Sequence, residues 1–141
     1  MNEIIELKDI CSILKNARTI AVVGLSDSPE RTSRQIAESL VRKGYQVVGV
    51  NPNISESGGI TVFPDLASIP FNIDIVDVFR RSETIPELIP DILNVMPKVL
   101  WLQQGIRNDA AVKPVLENNI SVIQDKCIAV YWNLCKSSLE K

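Results

Sequence analysis

Five short, nearly continuous apolar runs, Thr19–Val23, Gln46–Val50, Ile73–Phe79, Lys98–Leu102 and Ser121–Ile123, recur along this chain with room for a helix between most of them. A run that is apolar at consecutive positions suits a strand buried on both faces, as in a parallel sheet, and not a strand with one wet face. Parallel neighbours need crossover connections, and right-handed crossovers lay helices on both faces. The pattern predicts an α/β fold: a doubly wound, mainly parallel five-stranded sheet in a single domain spanning residues 1–141, with a core over about 19–127 and flanking terminal helices.

The connecting stretches support that frame. Ile4 to Lys15 has helical apolar spacing and predicts an amphipathic first helix. Ile36, Ala37, Leu40 and Val41 mark the next one, stopped by Gly44. Asn51-Pro52 ends the second strand, because proline lacks the ladder donor. Asn53 to Gly59 is turn-rich; Thr61 to Phe63 reads as a short extended piece and Leu66 to Ile69 as one helical turn. Ser82 is expected to cap a helix from about Glu83 to Val95, with Pro86 in its first turn. Pro90 predicts a kink or break unless the helix begins later. Asn108 or Asp109 can cap a helix reaching Asn118-Asn119, and Ile128 to Leu134 reads as a closing helix.

Composition narrows the chemistry. The chain has no histidine, which removes the commonest general base, the Ser-His-Asp triad and most zinc and haem sites. Fifteen Lys and Arg against 17 Asp and Glu leave no basic run able to track a phosphate backbone, so no nucleic-acid partner is expected. No uncharged run reaches the roughly 18–20 residues of a membrane span, so a protein that does not associate with membranes is expected. Cys11, Cys127 and Cys135 are odd in number and lack CxxC spacing. Together with a start unlike a secretion signal they point to a reducing cytoplasm, with Cys11 and Cys135 as packing residues of the terminal helices.

In doubly wound sheets ligands bind beyond the carboxyl ends of the strands. Gly24-Leu25-Ser26, Asn51-Pro52, Phe79-Arg80-Arg81, Gln103-Gln104-Gly105 and Asp125-Lys126-Cys127 therefore demand inspection. The first loop keeps one glycine of the GxGxxG fingerprint, and Asn51 stands where an acidic residue would bind a ribose; both disfavour the usual NAD pose. GxxxxGK[ST] is absent, as are the acidic pair and strand-ending aspartate of a phosphoacceptor receiver. What remains suits an anion: hydroxyls from Ser26, Ser28, Thr32 and Ser33, charge from Arg31 and Arg34, and a helix N-terminus. The competing reading has Ser28 capping the helix, Pro29 in its first turn and the arginines solvated. Arg80-Arg81 can hold a second phosphate, or pair on the surface with Glu83 or Glu87.

Six blocks carry a resemblance. They are Ala21 to Ser26 with Pro29, Arg31 and Ser33; Gly44 to Val47 leading to Val50-Asn51-Pro52; Val62 to Leu66; Asp74 to Arg81; Leu100 to Ile106; and Gln124 to Cys127. In this order the chain resembles the CoA-binding domain family, in particular its small stand-alone members, and the related N-terminal domain of the succinyl-CoA synthetase alpha subunit. The resemblance implies a Rossmann-like domain binding coenzyme A or an acyl-CoA across the strand ends. Gly24, Leu25 and Ser26 would turn against the phosphates, assisted by Arg31 and Ser33, while Asn51 and Pro52 shape the wall near the nucleotide. Phe79 would pack on an apolar part of the ligand and Arg80 and Arg81 would face its anionic groups. Gln103 and Gly105 would line the fourth strand edge, and Asp125 and Cys127 the fifth. Gln104 and Pro97 depart from the family pattern.

Catalysis is a separate matter. The phosphohistidine chemistry of succinyl-CoA synthetase is excluded by the missing histidine. Cys127 is the remaining nucleophile candidate, and no partner base is identifiable, so a structural or ligand-contacting role is favoured and no catalytic or metal-binding residue is assigned. Asp74 and Asp77 are read as sheet-edge or cap partners, and Trp101, Leu102, Tyr131 and Trp132 as core, with a homodimer face or an unidentified protein partner left open. The favoured expectation is a non-catalytic, cytoplasmic CoA-binding or regulatory module. The alternatives are a dinucleotide-binding (NAD-type) enzyme or redox-sensing domain with a modified glycine loop, and a ligand-free interaction module.

Overall fold

The computed structural model describes residues 2–139. Helix α1 (Leu7–Asn16) leads into β1 (Thr19–Val23), α2 (Thr32–Arg42) and β2 (Gln46–Val50). A hairpin follows, β3 (Glu56–Ser57) and β4 (Ile60–Phe63), then β5 (Ile75–Val78), α3 (Ile85–Val95), β6 (Val99–Leu102), α4 (Asp109–Glu117), β7 (Ser121–Ile123), α5 (Ile128–Leu134) and α6 (Lys136–Leu139). The strands form one sheet in the order β3-β4-β2-β1-β5-β6-β7. All pairings are parallel except β3 with β4. The chain runs outward from β1 through β2 to the hairpin, then returns to β5 and runs out the other way, so the switch point lies between β1 and β5.

The anticipated strands are present because their Val- and Ile-rich runs fit a pleated surface covered on both sides. Ala21, Val22, Ile75, Val76 and Leu100 are fully buried. One face packs Ile85, Leu88, Ile89 and Ile92 of α3 with Val112 and Val115 of α4. The other packs Ile10 and Leu14 of α1, Ile36, Ala37 and Leu40 of α2, and Ile128 of α5. Each wholly buried Ile or Leu contributes roughly 1.5–3 kcal/mol of transfer free energy.

Several expectations are corrected. The sheet has seven strands rather than five, because Gly58 and Gly59, both at positive φ (56° and 86°), close a two-residue hairpin pairing Glu56 with Thr61 and Ser57 with Ile60. The first helix begins at Leu7 rather than Ile4, whose N–H instead donates to the Val122 carbonyl at 2.7 Å along the β7 edge. Ser82 does not cap α3: it opens a 3₁₀ turn, Ser82–Thr84, and its Oγ accepts from the Arg107 N–H at 3.0 Å. With α3 starting later, Pro90 sits within a helix that continues unbroken to Val95. Asn108 does cap α4, its Oδ1 accepting from the Ala111 N–H at 3.0 Å.

The cysteines bring a larger correction. Cys11 and Cys135, expected as separate packing residues, form a disulfide across 124 residues that ties α1 to the C-terminal helices. Closing so long a loop restricts the unfolded chain, an effect typically of about 2–5 kcal/mol. The N-terminal segment has a second tether, since Arg107 donates from both Nη atoms to Glu3, each at 2.9 Å. Gln124, almost wholly buried, donates from Nε2 to Glu3 and Asp109 and accepts the Asn108 N–H.

The two strand aspartates part company. Asp74 accepts the Arg18 and Thr19 N–H groups at 2.7 and 3.2 Å and pairs with Lys98 at 3.5 Å, as a cap partner should. Asp77 does not lie at an edge. It sits mid-sheet opposite Val22 and Trp101, fully buried, with neither oxygen hydrogen-bonded among the described residues. Burial pushes its carboxyl well above the usual carboxylate range. The folded chain thus holds a proton that the unfolded chain releases near pH 4, so this site's stabilisation is full below that pH and declines as pH rises toward the raised folded value. Asp77→Asn should remove up to about 1.4 kcal/mol per pH unit from the decline in stability between pH 5 and 8, measured by urea denaturation. Parallel profiles for the two proteins would contradict a protonated Asp77.

Candidate functional site at the carboxyl ends of the strands

The site begins at the switch point. Gly24 ends β1 at φ 88°, and a Cβ there would lie 2.5 Å from the Phe79 carbonyl oxygen, so only glycine lets the β1 and β5 ends approach so closely. The loop that follows is ordered by its own polar groups. The Ser26 N–H donates to Ser33 Oγ at 3.1 Å, the Ser28 N–H to Ser26 Oγ at 3.0 Å, and Asn51 Nδ2 to the Leu25 carbonyl at 3.0 Å. The loop is braced from two elements: Ser57 Oγ of the β3–β4 hairpin donates to the Ser26 carbonyl at 2.6 Å, and Arg34 Nη1 of α2 donates to the Asp27 carbonyl at 2.8 Å. Arg34, which also pairs with Glu38 at 3.3 Å, serves as a strut and not as a free charge.

Helix α2 starts beside this loop without a side-chain cap, since neither Arg31 nor Ser28 supplies one. Ser28 Oγ instead donates to Glu30 Oε1 at 2.9 Å. Hydrogen bonds from the backbone and from Ser28, with a smaller contribution from Arg31, hold the exposed Glu30 carboxyl below its ordinary range. The uncapped first turn leaves donors and the positive end of the helix dipole directed at the adjoining cleft.

Two clefts meet there. One, of about 570 Å³, is lined by Gly24, Ser26, Arg31, Thr32, Ser33, Asn51 and Phe79, together with Asp27, Glu30, Asn53 and Ile54. The other, of about 680 Å³, is lined by Thr32, Phe79, Arg80, Arg81, Gln103, Gln104, Gly105, Ile106 and Cys127. Thr32 and Phe79 line both, so the two clefts are neighbours beside the switch point. On the opposite side of the Gly24 turn a depression of about 300 Å³ is bordered by Asn51, Pro52 and Arg80 and by the acidic Asp65, Glu87 and Asp91.

Most of the residues singled out from sequence therefore converge, with distinct placements. Leu25 is fully buried, its side chain against Gly49, so only its backbone belongs to the loop. Asp125 lines neither cleft; at φ 58° its Oδ1 accepts the Gly105 N–H at 2.6 Å and holds the β6 turn. Gln103, 4% exposed, accepts the Ile128 N–H at 3.0 Å and so fixes the start of α5. Arg81 is exposed and pairs with Glu83 at 3.9 Å, the surface contact foreseen as its alternative. Arg80 is half-buried with no ion pair among the described residues. Sequence reasoning missed Asn53, Ile54 and Ile106 as lining residues and Ser57 as a brace. Position just after a strand was the available signal for Ile106; for Ser57 the signal was the Gly58-Gly59 turn, which was read without its flanking strands.

The fold and its clefts together define a doubly wound α/β domain with a cleft at its switch point. Residues 18–133 match the CoA binding domain family, and the chain belongs to that family. It is 42% identical over 122 residues to the Bacillus subtilis (strain 168) protein YneT, covering 86% of this chain and 90% of the relative. Among solved structures it is similar to the cell-free ID.343 protein from Thermus thermophilus, with a TM-score of 0.89, 31% identity, and coverage of 93% and 99% of the two chains. A Pyrococcus horikoshii OT3 protein superposes with a TM-score of 0.90 at 28% identity, covering 96% of this chain and 97% of its own. Acetyl-coenzyme A synthetase 1 of Ca. Korarchaeum cryptofilum shares the fold over 77% of this chain but 26% of its own, with a TM-score of 0.68 at 22% identity. Among the described residues no helix is long and apolar enough to cross a membrane.

Gly24→Ala tests the close approach that founds the site. A methyl group at positive φ against a carbonyl oxygen should cost about 1–3 kcal/mol of stability in chemical denaturation and should disturb the Ser26 turn. An unchanged midpoint would show that the β1 and β5 ends can separate without cost.

Proposed function

We propose that this chain binds coenzyme A or an acyl-CoA along the adjoining clefts at the carboxyl ends of β1, β2, β5 and β6, as a binding or regulatory module without chemistry of its own. The observation that carries the reading is the adjacency of the two clefts, which share Thr32 and Phe79 as walls, in a member of the CoA-binding domain family. Coenzyme A is a long ligand with an anionic nucleotide end and a thin thiol-bearing arm, and an extended cleft with different chemistry at its two ends suits it. In this reading the loop from Gly24 to Ser26, Ser33 and the first turn of α2 receive phosphate oxygens, with Arg31 adding charge at the rim. Phe79 offers an apolar surface at the junction, and Arg80, free of a carboxylate partner, takes a further anionic group. Arg81 contributes from the exposed side, and Cys127 flanks the second cleft.

The non-catalytic part of the reading rests on what surrounds Cys127. Its cleft wall carries arginines, amides and apolar groups but no carboxylate, and the sequence supplies no histidine to act as base. Anion recognition and apolar contact are what this lining offers.

Calorimetric titration with CoA, acetyl-CoA and NAD at low and at moderate salt tests the proposal. CoA and acetyl-CoA should bind and NAD should not, and affinity should fall as salt screens the phosphate contacts. Arg80→Ala should weaken CoA about 10- to 100-fold, the scale of a charge-assisted hydrogen bond, and Arg81→Ala should act less because water already competes at that exposed site. Absence of CoA binding, or equal binding of NAD, would overturn the reading.

A further inference from the structure

Helix α5 forms part of the frame of the second cleft, and its two ends are held by different chemistry. Its upper end begins at Cys127, a cleft residue, and is pinned by the Ile128 N–H on Gln103 and by Trp101 Nε1 donating to the Lys126 carbonyl at 2.8 Å. Its lower end runs into Cys135, 1% exposed and bonded to the half-buried Cys11 of α1, with a Cα–Cα distance of 5.3 Å. Between these points the helix is held by partly buried side chains, Ala129, Tyr131 and Trp132, that pack on the core. It has seven residues, of which only Ile128 is fully buried, while Val130 and Leu134 are 50% and 58% exposed. Tyr131 meets the Trp101 ring edge-on, and Lys43 lies over Trp132. A helix this short does not sustain itself without tertiary support, so a covalent tether at one end bears heavily on order at the other.

We propose that the Cys11–Cys135 bond is a redox-controlled clamp on the α5 side of the ligand cleft: oxidised, it keeps α5 and the Gln103–Ile128 contact in place; reduced, it lets α5 and α6 loosen and lowers affinity for the ligand. The effect on affinity rests on the CoA reading above; the effect on α5 does not. The exchange is a two-electron one. A dithiol's thiolate attacks Cys11 Sγ, the more accessible sulfur; the Sγ–Sγ bond breaks, and Cys135 leaves as a thiolate that takes up a proton. The dithiol's second thiolate then displaces Cys11 Sγ, which is protonated in turn, and the reagent departs as its own disulfide. A small-molecule disulfide runs the sequence backwards. Cys127 is no party to it, lying eight residues from Cys135, about 12 Å along a helix axis.

That distance makes Cys127 a reporter. Full-length protein, oxidised or reduced with dithiothreitol, is followed by hydrogen exchange over residues 128–134, by the rate of iodoacetamide labelling at Cys127, and by calorimetry with acetyl-CoA, whose blocked thiol cannot join the exchange. The dithiothreitol is removed anaerobically before labelling. Reduction should speed α5 exchange and Cys127 labelling by about tenfold or more, as expected when a local unit opens, and should weaken acetyl-CoA severalfold. Reoxidation should restore all three. The double variant Cys11→Ser/Cys135→Ala should behave as the reduced protein with or without reductant. If α5 exchange and Cys127 labelling change less than about twofold on reduction, or if Cys11 and Cys135 remain free thiols after oxidation with oxidised glutathione, the clamp is overturned. If α5 loosens while acetyl-CoA affinity holds, the coupling to the cleft is overturned. If the oxidised protein binds no acetyl-CoA yet α5 still responds, the CoA reading fails and the clamp on α5 stands.

Discussion

The near-contact of Gly24 with the Phe79 carbonyl is the constraint around which the site is arranged. It sets how closely the ends of β1 and β5 converge, and the chain leaves the sheet in opposite directions from that pair. Splaying at the switch point opens the crevice, while the absence of a Cβ at Gly24 keeps its floor narrow enough for backbone groups to face a ligand. Two-sided burial of the parallel strands makes this geometry stiff, because a shift of β1 would disturb both apolar layers at once.

Polar order is concentrated around that point. Ser26, Ser33, Asn51 and Ser57 bond to the loop and to each other's backbone, while among the described residues the start of α2 has no side-chain cap and Arg80 no ion pair. A cleft whose scaffold is satisfied in this way is held in shape before any ligand arrives. Asp77 is the opposite case: a buried carboxyl with no hydrogen-bond partner among the described residues, its pKa pushed up by burial.

Much of this was legible along the chain. The five apolar runs, the stops at Gly24 and Gly44, the Asn108 cap and the gathering of Gly24, Ser26, Ser33, Asn51, Phe79, Arg80, Gln103 and Cys127 at one edge follow from local pattern and from the rule for doubly wound sheets. The β3–β4 hairpin was missed: the turn at Gly58-Gly59 was read, but its strands are only two and four residues long and show no periodicity. The inward turn of Leu25 was hidden, since a leucine in a loop reads alike whether it faces ligand or core.

Local pattern determined the element types, the layer arrangement and the edge that carries the cleft, because hydrophobic period and turn chemistry act over a few residues and leave their mark in the sequence. Tertiary structure alone decided the pairing of Cys11 with Cys135, the bond between Glu3 and Arg107, the service of Arg34 and Asp125 as struts, and the burial of Asp77 between Val22 and Trp101. Each of these depends on residues that meet only after the sheet has closed. The free energy of such contacts comes from burial and from the geometry of distant partners, for which sequence spacing carries no signal.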